Sequence, residues 1–234
     1  MSYNMKSNFY PAKEPKNGYI GMADLTIANA IRIRGIAVFE KDGQRHMQFP
    51  GYGEGENRGS YVIPASKEAY SEMLAVVEKA IADPEQHFGW TSGKMNPRLE
   101  VSGGAVSEPY ADARFSVVVE DLCTLRGVST REVEYQKDGK DAKFVSMDMP
   151  TLPPYEKDGE KVYPAVFEGL KSEYEKDGEK KVKDFGDLMN GLILNKRKEL
   201  LERRPSLDEQ VNGAEQKAAQ AQAGKDGPAP EHER

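Results

Sequence analysis

The chain has one cysteine, Cys123, among 234 residues, which excludes an intramolecular disulfide framework and leaves no cysteine-based zinc site. Histidine is nearly as scarce, with only His46, His87 and His232. No spacing suits a zinc protease, no Gly-x-Ser-x-Gly elbow occurs, and no glycine-rich loop ends in Gly-Lys-Ser/Thr. The run Gly51-Tyr52-Gly53-Glu54-Gly55-Glu56 is rich in glycine, but its two glutamates would repel a phosphate, so it reads as a loop. Apolar runs fall short of the roughly 18–20 residues a bilayer span requires, and the first residues carry no apolar signal core. These absences predict a cytoplasmic, non-enzymatic protein with no catalytic residue, no metal ligand, no cofactor and no membrane partner.

An excess of positive charge is missing too. Lys+Arg 33 against Asp+Glu 39 gives a formal net charge of −6, which excludes a polybasic protein that holds nucleic acid by bulk charge. Any nucleic-acid contact must come from a local basic patch. Residues 205–234 hold only Leu207 and Val211 as sizeable apolar side chains. Such a segment cannot bury enough surface to offset its ordering entropy and reads as a disordered tail. It carries six acids and three bases, half of the net charge, so the rest of the chain is only mildly acidic.

What the chain does contain is an internal repeat. At a constant offset of 92, apolar positions coincide at 25/117, 27/119, 31/123 and 33/125, as do a polar break at 29/121 and the Arg-Gly pairs Arg34-Gly35 and Arg126-Gly127. Both copies continue through an Asp-Gly turn (Asp42-Gly43, Asp138-Gly139), a short strand and a proline (Pro50, Pro150). A polar loop then closes with Gly-x-x-Val-x-Pro-Ala, at Gly59, Val62, Pro64 and Ala65 and again at Gly159, Val162, Pro164 and Ala165. A helix is expected after each.

Alternation over 25–33 and 115–125 predicts one strand each with a single buried face. The Asp-Gly pairs suit tight hairpins, and the glycine of each Arg-Gly pair marks a bulge. Helices are predicted over 66–83, with Tyr70, Met73, Leu74, Val77 and Ile81 inward, over 165–174, and over 182–204, with Val182, Phe185, Met189, Leu192 and Ile193 inward. The leader before the first repeat strand supplies another strand, with its hairpin in Lys13-Glu14-Pro15-Lys16-Asn17-Gly18. The fold class is α+β: two repeats, each an antiparallel meander followed by helix, paired as a pseudo-dimer. The expected boundaries are 1–83, a linker 84–96, 97–204 and the tail 205–234.

Ala113-Arg114-Phe115-Ser116-Val117, Arg126-Gly127-Val128, Lys143-Phe144-Val145-Ser146-Met147-Asp148-Met149-Pro150, Asp158-Gly159 and Tyr163-Pro164 together resemble the SpoVG (stage V sporulation protein G, septation protein) family. In the first copy His46-Met47-Gln48-Phe49-Pro50 stands at the corresponding place, and the resemblance covers roughly 7–83 and 97–195. It implies a dimer-forming regulator that binds DNA or RNA. The chain departs from that pattern in its first strand of copy two, Arg98-Leu99-Glu100-Val101, which lacks the family's basic residues.

Alternation projects Arg32 and Arg34 away from the apolar face. Arg126 takes the place of Arg34, and Arg45 and Lys143 lie on the following hairpin arms, so these five are candidate phosphate contacts. A solvated outer face is the competing reading. Lys196, Arg197 and Lys198 form a second candidate patch, although cations near a helix C-terminus are favoured by the macrodipole alone. Trp90 reads as a plug in the seam between the copies, with stacking on a single-stranded base as the alternative. Two other functions stay open: a protein-interaction or inhibitor role in a bacterium or phage, and a phage single-strand-binding protein. The tail of the latter would end acidic and apolar, unlike Pro228-Ala229-Pro230-Glu231-His232-Glu233-Arg234.

Overall fold

The computed structural model describes residues 3–53, 58–176 and 179–202. Glu54 to Glu56 of the glycine-rich loop, the Asp177-Gly178 pair and the whole 205–234 segment lie outside the described residues. The architecture is mixed, with two helices among the described residues and two antiparallel half-barrel sheets.

The first sheet is built on a meander of β1 (Met5–Lys16), β2 (Tyr19–Ile27), β3 (Ile31–Lys41) and β4 (Gln44–Gln48). Asn17-Gly18 and Asp42-Gly43 turn it, with φ of 54° and 79° in the first pair and 52° and 74° in the second. Two consecutive positive φ angles define the tight hairpin whose twist matches the strands it joins. Met5, Ser7 and Phe9 of β1, Ala23, Leu25 and Ile27 of β2 and Ile31, Ile33, Ile36 and Val38 of β3 are buried on one face. The second sheet repeats the pattern in β9 (Leu99–Glu108), β10 (Ala111–Val119), β11 (Cys123–Lys137) and β12 (Lys140–Asp148), turning at Asp138-Gly139. Its core residues include Ala113, Phe115, Val117, Val119, Cys123, Leu125 and Val128.

Several expectations need correction. The alternation over 25–33 is not one strand but the end of β2, a tight turn at Ala28-Asn29-Ala30 and the start of β3, with Ile27 paired to Ile31. Residues 115–125 behave identically, turning at Glu120-Asp121-Leu122 so that Val119 faces Cys123. An alternating pattern survives such a turn because three loop residues return the chain with its apolar side chains on the same face. The polar break at 29/121 is the turn itself.

The Arg-Gly bulges are present. Ala23 pairs with Ile36 but Leu25 with Ile33, so that Arg34 and Gly35 together face the single Asp24, with Gly35 at φ 71°. Phe115 pairs with Val128 and Ser116 with Arg126, leaving Gly127 at φ 92°. Each bulge divides its strand between two neighbours. Before it, β3 pairs through Ile31–Ile33 with β15 (Phe167–Gly169), and beyond it with β4. Likewise β11 pairs through Cys123–Leu125 with β7 (Val62–Pro64) and beyond the bulge with β12. Each meander therefore receives a short strand from the other half of the chain.

The loops that carry these strands are small hairpins: β5 (Gly51–Tyr52) with β6 (Gly59–Ser60), and β13 (Tyr155–Lys157) with β14 (Glu160–Val162). Main-chain bonds match across them. The Tyr61 N–H donates to the Pro50 carbonyl at 2.9 Å and that of Arg126 to Tyr61 at 2.7 Å, while Val166 donates to Pro150 and Arg34 to Val166, both at 2.8 Å. Phe167, rather than the sequence-matched Val162, thus occupies the place in its sheet that Val62 occupies in the other.

Helix α1 (Lys67–Ala82) forms where expected, but of the residues expected inward only Met73 and Val77 are buried, while Tyr70, Leu74 and Ile81 are half-buried. Ser66 caps it by accepting from the Ala69 N–H, and Ala69, Met73, Val76, Val77 and Ala80 are buried. The cap satisfies an N–H with no partner inside the helix. The helix expected over 165–174 is instead β15 followed by β16 (Lys171–Lys176), which pairs with β17 (Glu179–Asp184). The last helix, α2 (Phe185–Glu202), starts three residues later than expected. Phe185, Met189 and Ile193 are buried, but Val182 is an exposed β17 residue. Residues 84–96, expected as a linker, contain β8 (Phe88–Thr91), which pairs with β1 at the sheet edge. Residues Met1–Arg197 form one compact unit.

Candidate nucleic-acid interface

The outer face of each bulge carries a cleft. At the first, Tyr10, Met22, Asp24, Arg34 and Gly35 form the floor, and Pro50, Tyr61, Leu152, Pro153, Tyr155 and Pro164 form the walls of a space of about 790 Å³. At the second, Arg114, Phe115, Ser116, Arg126 and Gly127 lie below Tyr52, Tyr61 and Pro150 around about 450 Å³. The bulges position both clefts, because they bend the strand where a neighbouring loop crosses. A Cβ on Gly35 would meet Leu152 at 2.7 Å, and one on Gly127 would meet Tyr61 at 2.7 Å. Only a residue without a side chain allows these close approaches.

The predicted phosphate contacts fare differently from one another. Arg32 and Arg34 do project away from the buried Ile31 and Ile33, yet both face Glu168 on β15, at 3.4 and 2.6 Å. Arg34 also reaches the Ala165 carbonyl at 3.5 Å. Arg45 pairs with Glu40 at 2.8 Å on its own hairpin. Lys143 sits between Glu132 at 2.8 Å and Glu134 at 2.9 Å, whose hydrogen bonds hold its ammonium above the ordinary range. Arg197 is buried at 8% exposure and grips Asp112. Lys196 is partly buried on α2 and Lys198 is exposed. Arg126 is exposed, with no acidic partner among the described residues.

Alternation missed Arg114, beside Arg126 in the second cleft and held by Glu108 at 2.5 Å. It also missed the Tyr52–Tyr61 ring pair, with centroids 5.1 Å apart. Arg114 stands in the family-like Ala113-Arg114-Phe115 motif, and that was the available signal. Trp90 is not a seam plug: it is half exposed on β8, where its carbonyl accepts from Lys79 Nζ at 3.1 Å.

Asp24 and Tyr10 are both shifted in the first cleft. Burial, against the opposing Gly35 N–H and Arg34 charge, holds the Asp24 carboxyl above its ordinary range. Burial and the Asp24 charge hold the Tyr10 hydroxyl up. No helix of the described residues is long and apolar enough to cross a membrane. No family model matches the chain, and neither a curated protein nor a solved structure matches it.

Proposed function

We propose that this chain is a non-enzymatic, cytoplasmic nucleic-acid-binding regulator, a tandem SpoVG-like module whose two halves form a pseudo-dimer within one polypeptide. The reciprocal exchange of β7 and β15 supports the pseudo-dimer, since each half completes the other's sheet. The observation that carries the binding function is the second cleft. There Arg126, exposed and without an acidic partner among the described residues, lies with Arg114, itself paired with Glu108, beside the Tyr52 and Tyr61 rings.

Aromatic rings with adjacent guanidinium groups are the equipment of single-strand binding, in which bases stack and the backbone meets a few cations. Duplex binding by a broad phosphate contact fits less well. Arg32, Arg34, Arg45 and Lys143 are committed to carboxylates of the same chain, and a phosphate would have to displace those partners. The ligand is therefore single-stranded DNA or RNA, bound through few phosphates and with a shallow salt dependence.

Titration of single-stranded DNA, duplex DNA and RNA at two salt concentrations tests this. Arg126→Glu and Tyr52→Ala should each weaken single-strand binding by about tenfold, whereas Arg32→Glu should change it little. Equal affinity for duplex and single strand, or a folded Arg126→Glu variant with unchanged affinity, would refute the reading and favour a protein partner.

A further inference from the structure

Corresponding positions of the two clefts differ in chemistry. At the offset of 92, Met22 corresponds to Arg114 and Asp24 to Ser116. The second cleft is basic and suited to phosphate; the first is walled by tyrosine, leucine and proline, with a single carboxylate at its floor.

That carboxylate is underused. Asp24 Oδ1 accepts the Gly35 N–H at 3.3 Å, and Asp24 has no ion-pair partner among the described residues. Arg34 lines the same cleft but directs its guanidinium to Glu168 and to the Ala165 carbonyl. A part-buried carboxylate with spare acceptor capacity, facing an open space, calls for a ligand that donates.

We propose that the first cleft is a nucleobase pocket selective for guanine, in which Asp24 accepts the two parallel N–H groups of the base's Watson–Crick edge. This rests on the single-strand reading above. Guanine is the one common base whose pairing edge presents adjacent ring N–H and amino donors to a carboxylate. Adenine and cytosine offer one amino group beside a ring acceptor, which would face Asp24 repulsively. Tyr10 and Tyr155 supply rings, and Met22 and Leu152 apolar surface, for the faces of a base splayed from its neighbours. The volume falls within the roughly 300–1,000 Å³ usual for small-molecule pockets.

The two clefts then divide the work. One holds backbone and stacks bases without regard to identity, and the other reads a single base. Selectivity of this kind fits a regulator better than a protein that coats single strands indiscriminately.

The test uses the full chain and oligothymidylates of about 12 nucleotides, each carrying one central guanine, inosine, adenine or cytosine, at low salt. The guanine strand should bind about tenfold more tightly than the adenine, cytosine and all-thymine strands. Inosine, which lacks the amino group, should lose most of that advantage. Asp24→Asn, which keeps an acceptor for the Gly35 N–H, should bring the guanine strand down to the affinity of the all-thymine strand. A wild-type protein that binds all strands equally overturns the pocket while leaving single-strand binding intact. So does a guanine preference that survives in Asp24→Asn or is undiminished with inosine. Failure to bind any strand overturns the underlying reading, and the pocket with it.

Discussion

Replacing Arg197 by Met should destabilise the protein by about 2–3 kcal/mol, because the side chain serves the core rather than a ligand. Its Nε lies 3.1 and 3.2 Å from the two oxygens of Asp112, and an Nη bonds the second oxygen. The Thr130 hydroxyl donates to the same carboxylate at 2.7 Å and the Glu132 N–H at 3.0 Å. Side-chain exposures of 10% for Arg197 and 24% for Asp112 make this a part-buried pair. Breaking a fully buried pair costs about 3–5 kcal/mol; here two donors remain on the carboxylate, which lowers the expected loss. The Asp112 carboxyl is raised by burial, but the hydrogen bonds from Arg197 and Thr130 and the Arg197 charge outweigh that, so its pKa is lowered. A depressed folded pKa means stability that is complete above the unfolded value and lost as pH falls through the folded one. The cost of Arg197→Met should therefore be largest at neutral pH and shrink as pH falls below the ordinary carboxylate value of about 4. Urea unfolding should show a shifted midpoint with unchanged slope. Asp112→Asn combined with Arg197→Met should cost less than the sum of the two changes. A loss below about 0.5 kcal/mol, or one independent of pH, would refute the reasoning.

Gly35→Ala and Gly127→Ala should each cost about 1–3 kcal/mol, seen as a lower melting temperature, since both need a positive φ and leave no room for a Cβ. Asp24→Asn should instead raise stability slightly at neutral pH. The folded carboxyl has the higher pKa, so its contribution is favourable at low pH and is lost as pH rises through the raised value. The gain should vanish below about pH 4. The Cys123 thiol is fully buried and pushed up to about 12 by burial, so it should resist alkylation in the native protein and react only on unfolding.

Local chemistry wrote much of this fold plainly. Asn17-Gly18, Asp42-Gly43 and Asp138-Gly139 turn hairpins because they tolerate positive φ, and α1 starts at Ser66 as its spacing implies, although its buried stripe of Ala69, Met73, Val76, Val77 and Ala80 is rotated from the expected Tyr70, Met73, Leu74, Val77 and Ile81. The misread stretches were those where one pattern has two solutions. Alternation does not distinguish a straight strand from a hairpin with a three-residue turn, and residues 165–174 take extended form because Phe167 pairs with Ile33 from far along the chain. The same distance hid the site. Periodicity shows that Arg32 and Arg34 point outward, but Glu168, which neutralises both, arrives from the other half. The walls of both clefts are likewise non-local, and only the bulge glycines announced them.

The exchanged strands also bear on where the chain can be divided. A cut between 96 and 97 separates the two meanders cleanly in sequence but takes β15 from β3 and β7 from β11. Phe167 and Val62 lie at 0% and 1% exposure, so each fragment would lose a buried plug and uncover its partners, Ile31 and Ile33 in one and Cys123 and Leu125 in the other. In the intact chain, Phe167→Ala alone should cost about 3–5 kcal/mol, a large share of the ~5–15 kcal/mol typical of a domain. Losing the whole strand removes its main-chain bonds as well and leaves an unpaired edge prone to association. Neither 1–96 nor 97–234 should therefore unfold cooperatively by itself. Mixing the two should restore a 1:1 complex with a sharp thermal transition, detectable by sedimentation and circular dichroism. A monomeric fragment with its own cooperative transition would show that the exchange decorates two independently stable halves, and would refute the proposed pseudo-dimer.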